Sequence, residues 1–316
     1  MRSWHCIDIS VFFVCLWSSA AWGQCAACSN PNLGGGGADL ARALDRGEAT
    51  TRIRSGLSWA YVSSPDVFAG TQRVDNAERR SSTVNSFLLS VDAEHRSGFG
   101  LSTLLPAGTV VSRVNGREYR DTGMSDLELR TRQDVWALFG PSRLRLVPAL
   151  GLAMPTGTYT RSRNLANTTN QYASLGRGAW WLLADLDATV RLPASFTLLT
   201  GLSLRSVLDA APDGFQWGRE VRARLGGAYD LGRVQVALAL DQLWREQSTE
   251  LFAGQRIDSI STGGSWLGLT AAVRVNLGKA WALSVGTRIP LRRDVRGLQN
   301  VEGLNGFVTL AWTAEP

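Results

Sequence analysis

From Thr50 onward, apolar and polar residues alternate along the chain with a period of two. In 143–154 the even positions are Leu144, Leu146, Pro148, Leu150, Leu152 and Met154, and the odd positions are Arg143, Arg145, Val147, Ala149, Gly151 and Ala153. In 180–192, Trp180, Leu182, Ala184, Leu186, Ala188, Val190 and Leu192 oppose Asp185, Asp187, Thr189 and Arg191. In 234–245, Val234, Val236, Leu238 and Leu240 oppose Gln235, Ala237, Ala239, Asp241 and Arg245. Successive side chains of a strand point to opposite faces. Each segment therefore predicts a strand with one bulky apolar face and one charged or small face.

Twelve such segments can be read: 51–62, 82–96, 99–111, 125–138, 143–155, 179–192, 195–207, 217–230, 233–247, 265–277, 280–292 and 304–313. Short turns fall at Arg96-Ser97-Gly98, Gly140-Pro141-Ser142, Pro193-Ala194, Asp230-Leu231-Gly232 and Gly278-Lys279, and turns of this length join antiparallel neighbours. Longer connections fall at 63–81, 112–124, 156–178, 208–216, 248–264 and 293–303. An even strand count with alternately short and long connections predicts an all-β fold. It is a transmembrane antiparallel β-barrel of about 12 strands over 49–316, with a short N-terminal periplasmic segment. Closure pairs every backbone polar group with a neighbouring strand, as a lipid core demands. Trp59, Tyr61, Trp180, Trp217 and Trp244 lie at the long-loop ends of their strands, and Phe99, Phe139, Phe196, Tyr229, Trp281 and Trp312 at the short-turn ends. Two aromatic belts of this kind are expected where amphipathic rings meet lipid headgroups.

The first residues read differently. Arg2, an apolar stretch from Ile7 to Trp17 and the small residues Ala21 and Gly23 have the plan of a cleaved signal peptide over 1–23. The tail 24–48 then starts with Cys25 and Cys28, whose expected state after export is a local disulfide. It contains a Gly-rich stretch and one short predicted helix, and a periplasmic protein is its candidate partner. The expected location is the outer membrane of a Gram-negative bacterium.

Composition sharpens this picture. Apolar residues make up 44% of the 316 and charged residues 19%, and mean hydropathy is −0.05. This argues against a disordered chain, and no apolar run past Gly23 is long enough for a transmembrane helix. The net charge is +6, and 32 of the 33 basic residues are Arg, with Lys279 the exception. Arg is dispersed from Arg42 to Arg296, so nucleic acid is not an expected partner. If the apolar face meets lipid, the charges must point inward, because an Arg facing mid-bilayer costs about 2–4 kcal/mol.

The predicted pore-lining residues are Arg54, Asp92, Glu94, Glu128, Arg130, Arg132, Arg145, Asp185, Asp187, Arg205, Arg222, Arg224, Asp241, Arg245, Arg274 and Arg288. Arg52 and Glu220 share their parity. Folding about the short turns brings Arg222 near Asp241, Asp134 near Arg145, and Arg52 and Arg54 near Asp92 and Glu94. Such an interior either fills the barrel with ion pairs or forms a polar pore with a positive wall. Trp181 and Trp266 fall on the inward parity near the outer mouth, either to stack on an aromatic solute or to pack beneath loops.

The segment Gly123-Met124-Ser125-Asp126-Leu127-Glu128-Leu129 resembles the Gly-x-Gly-Asp strand start of a known family, with Ser125 in place of the second Gly. Gly151-Leu152-Ala153-Met154-Pro155-Thr156-Gly157 resembles the same family's strand ending in Pro-Thr-Gly. The family is the outer-membrane transporters associated with the meta pathway of phenol degradation, and the resemblance covers most of 50–316 in layout. It implies a barrel of this size and a role in solute passage. It does not carry phenol over as the substrate.

Enzyme chemistry finds little support. Two Cys and the single remaining His95 do not make a tetrahedral zinc site, and Ser29 stands where a c-type haem site needs His. Gly34 to Gly37 is a homopolymer and no phosphate loop, so no cofactor is expected. An outer-membrane lipid hydrolase needs a His–Ser pair on the outer-leaflet side, whereas His95 falls at a short-turn end. The expected function is a channel for small polar or anionic solutes, aromatic ones included. The alternatives are a non-conducting structural or partner-binding barrel and, behind it, the hydrolase.

Overall fold

A computed structural model of the chain describes residues 51–135, 143–159, 174–259 and 261–314. The segments 1–23 and 24–48, with Cys25 and Cys28, and the belt residue Phe139 lie outside the described residues. The described residues form seventeen strands and no helix. In chain order, β1 (Arg52–Ser64) is followed by the short β2 (Asp66–Gly70) and β3 (Gln72–Val74), then β4 (Ser81–Glu94), β5 (Phe99–Val114), β6 (Arg117–Met124) and β7 (Leu127–Gln133). Next come β8 (Leu144–Met154), β9 (Trp181–Arg191), β10 (Phe196–Val207), β11 (Glu220–Asp230) and β12 (Val234–Arg245). The last are β13 (Thr249–Phe252), β14 (Gln255–Asp258), β15 (Gly264–Asn276), β16 (Trp281–Val301) and β17 (Asn305–Ala314).

Twelve of these close into an antiparallel barrel in the order β15-β12-β11-β10-β9-β8-β7-β5-β4-β1-β17-β16, and pairing of β15 with β16 completes the ring. Closure requires the strands to tilt and stagger. The stagger is visible in one hydrogen-bonded row running from Ala60 through Phe307, Gly286, Ala272 and Ala237 to Ala228. It starts near the outer end of β1 and finishes near the opposite end of β11. A strand of 11 residues such as β9, at a rise of about 3.4 Å per residue and a tilt near 40°, spans about 29 Å. That matches an apolar band about 25 Å tall.

The outward face carries that band. Leu150, Leu225 and Leu57 are 62%, 56% and 53% exposed, and Leu202, Leu238 and Ile53 stand beside them on the same surface. Trp59, Tyr61, Trp180 and Trp244 are exposed at one end, and Phe99, Phe196, Tyr229 and Trp281 at the other. Trp217 departs from the expected belt. It precedes β11, is buried, and turns its indole N–H into the barrel mouth to the Arg177 carbonyl at 2.9 Å.

Four expected loops are extended instead, among them 248–264, which holds the β13–β14 hairpin. The 112–124 connection continues β5 into β6 as a hairpin that stands beyond the ring. The 63–81 connection holds β2 and β3. The 293–303 connection is largely an extension of β16, which runs to Val301 and pairs with β2 after an irregularity between Val295 and Leu298. Loop composition concealed this: consecutive charges at Arg292, Arg293 and Asp294 break the alternation. The strand expected from 217 starts at Glu220.

Candidate functional site

Many inward positions are charged, hydroxylated or small, large apolar residues interrupt them, and most are buried. All sixteen predicted lining residues lie on this parity. Together with Arg52 and Glu220 they make eleven arginines and seven carboxylates. The register brings them together as four linked groups.

The first lies toward the short-turn end. Glu94 receives Arg52 at 3.0 Å, Arg132 at 3.2 Å and Arg145 at 3.3 Å. Arg145 also bonds Asp134 at 2.5 Å, and Arg132 reaches Asp92 at 3.3 Å while Ser102 donates to Asp92. Arg54 is paired in register with Asp92. In the second group, Arg130 bridges Glu128 at 2.5 Å and Asp185 at 2.8 Å, and Arg205 adds a contact to Glu128 at 2.8 Å.

The third group spans β11, β12 and β15. Arg224 bonds Asp241 at 3.1 Å, and Thr270 donates to the other Asp241 oxygen at 2.9 Å. Arg222, expected near Asp241, pairs in register with Ser203 and Leu243, one inward position from the Arg224–Asp241 pair and within electrostatic reach of that carboxylate. Arg288 contacts Glu302, and Arg274 bonds Asn276 at 3.3 Å. Asp187 is paired in register with Gly201, where an added methyl would meet its carboxylate at 2.8 Å. Glycine thus recurs where a long inward side chain lies across the neighbouring strand. Gly100 gives Arg132 that room, since a Cβ there would lie 2.8 Å from its Nε.

The fourth group fills the outer mouth. Residues 174–179 of the β8–β9 connection turn inward. Leu175 is fully buried against Val62, Val84 and Val110 of β1, β4 and β5. Arg177 reaches to β11, where Glu220 receives it at 2.9 Å and Arg245 at 2.8 Å. Its guanidinium also lies 4.2 Å from the Trp181 ring centroid and 5.6 Å from that of Trp217, which packs edge-on to Phe215. Burial lowers the Arg177 guanidinium to about 10, against the pull of Glu220, so it stays charged at neutral pH. Opposite, Val295 and Val301 of the β16 extension cover Leu243 and Trp266 together with Phe68. Trp181 and Trp266 therefore pack beneath loops.

Sequence reasoning missed Arg177 and Glu302, which sit in connections where no periodicity marks a face. Flanking Gly176 and Gly178 were the available signal: a Cβ at Gly178 would meet the Tyr159 ring at 2.7 Å, and its φ is +64°. It also missed an apolar stripe on the inner wall, in which Phe307 and Leu199 join Ala60, Ala228, Ala237, Ala239 and Ala272. His95 does meet a serine, with Nδ1 3.0 Å from Ser97 Oγ, but this is a local contact in the exposed β4–β5 turn.

No protein-family model matches the sequence, and no curated protein matches it. Among solved structures, the fold is similar to an outer-membrane channel of Pseudomonas putida F1, at 15% identity and a TM-score of 0.68, covering 84% of this chain and 96% of that one. Fainter likenesses are the translocator domain of the autotransporter NalP from Neisseria meningitidis (11% identity, TM-score 0.49, 91% and 99% covered) and the NanC porin (6%, 0.47, 83% and 99%). The first establishes the fold as that of an outer-membrane barrel, and the other two add nothing to it.

Proposed function

We propose that the protein is an outer-membrane channel for small anionic or polar solutes. The observation that supports this reading is the guanidinium lining of the interior: eleven arginines against seven carboxylates at the strand positions named above, and twelve against ten once Arg177, Asp126, Asp134 and Glu302 are counted. On the β9–β11 wall Arg205 and Arg224 keep 19% and 10% of their side-chain surface exposed, and Asp185 11%. A low-dielectric wall with one sign of charge concentrates the opposite ion. The planar guanidinium also suits carboxylate and phosphate groups, which Lys meets only as a point charge. Twelve strands lie between the filled small barrels and the open porins, so the passage is narrow. The similarity in fold to the Pseudomonas putida F1 channel supports the reading, as does the outward apolar band. A leader over 1–23, a disulfide between Cys25 and Cys28, and a periplasmic partner for 24–48 belong to the same proposal.

Efflux from proteoliposomes tests it. Gluconate should leave faster than a cation of similar size, and equal rates would count against the positive wall. A non-conducting barrel is the second reading, favoured by the burial of Glu94, Glu128 and Asp241. Protein-dependent efflux of neither ion would select it.

A further inference from the structure

We infer that residues 174–179 form a strap that sets the size limit of the outer mouth, and that Asp126 is the positioning residue that holds it there. The inference rests on the channel reading above. Residues from three regions of the chain meet at this point. One Asp126 oxygen accepts the Gly157 amide at 3.1 Å, and the other accepts the Arg177 amide at 2.8 Å. A single buried carboxylate thus ties down both described ends of the β8–β9 connection. Its neighbour Ser125 donates to the Leu175 carbonyl at 2.7 Å, and Thr156 Oγ1 accepts the Leu127 amide at 2.9 Å.

The backbones pack as closely as the bonds suggest. A Cβ on Gly157 would stand 2.6 Å from the Ser125 carbonyl carbon, and one on Gly176 would stand 2.7 Å from that of Gly157. The Ser125-Asp126 and Pro155-Thr156-Gly157 segments singled out in the sequence are therefore two halves of one clasp. What the clasp holds crosses the mouth. Leu175 is seated on the inner faces of β1, β4 and β5, while Arg177 is fixed to Glu220 on β11, farther round the ring. A buried carboxylate with two backbone donors is a fixed point only while it keeps both bonds.

The test pairs hydrogen exchange with conductance, using the full mature chain in lipid. In Asp126→Asn, the amides of 174–179 should exchange at least tenfold faster while barrel-strand amides do not change. Single-channel conductance should rise at least twofold, and larger neutral polyethylene glycols should enter. A silent wild type that conducts only after the substitution would overturn the channel reading for the native chain while supporting the strap as what closes the mouth. Should Asp126→Asn fail to fold, Glu220→Gln releases the Arg177 end and carries the same expectations. Unchanged exchange would overturn the positioning role of Asp126. Faster exchange with unchanged conductance and polymer size limit would overturn the strap while leaving the channel standing. Silence from wild type and both variants alike would overturn the channel reading and the strap with it.

Discussion

Arg224 Nε lies 3.1 Å from Asp241 Oδ1, across a directly paired position of β11 and β12. The pairing assigns the carboxylate of this part of the wall to Arg224 and gives Arg222 two uncharged cross-strand neighbours, Ser203 and Leu243. Two arginines on one strand, two residues apart and on the same face, therefore meet Asp241 differently: Arg224 by direct contact, Arg222 from the next inward position.

Glu94 is the most connected carboxylate of the short-turn end, with Arg52, Arg132 and Arg145 all within 3.3 Å. Removing one member of a buried ionic group leaves charge without compensation and costs about 3–5 kcal/mol. Glu94→Gln should lower the unfolding free energy by that order in urea titrations of vesicle-folded protein. The exposed Arg113–Glu118 pair, at 2.8 Å, gives the contrast. Arg113→Ala should change stability by less than about 1 kcal/mol.

Gly286 and Gly306 sit on the paired strands β16 and β17 and have opposite surroundings. A Cβ at Gly286 would run into the Phe307 ring and stand 2.5 Å from the Ala271 carbonyl oxygen, whereas one at Gly306 meets nothing within 4 Å. Gly286→Ala should cost about 1–3 kcal/mol through overpacking. Gly306→Ala should stay within about 0.5 kcal/mol. The same titrations distinguish them.

Leu150 stands mid-strand on β8 and is the most exposed of the band at 62%. Leu150→Arg should lower the folding free energy in vesicles by about 2–4 kcal/mol. No change would mean that this face does not meet lipid.

The barrel was legible in the sequence because a lipid exterior forces alternation on each crossing strand, and the parity that marked Leu150 as outward marked Arg145 as inward. The Asp134–Arg145 contact followed from one short turn. Register at longer range was less legible: parity cannot tell Arg222 from Arg224, and only pairing selects the partner of Asp241. The mouth was least legible. Nothing periodic marks Arg177, and Trp217 has outward parity yet lies ahead of β11, where parity no longer decides direction. The adjacent charges Arg292, Arg293 and Asp294 lie opposite Leu267, Trp266 and Ser265 at the end of β15, just before β16 turns to pair with β2.

The most direct test of the central claim is the reversal potential of the purified protein in a planar bilayer under a KCl gradient. Chloride should be preferred over potassium. Arg222→Gln combined with Arg224→Gln should reduce that preference several-fold, while Arg113→Gln, outside the ring, leaves it unchanged. A potassium-selective wild type, or a preference that survives loss of both wall arginines, would contradict the account.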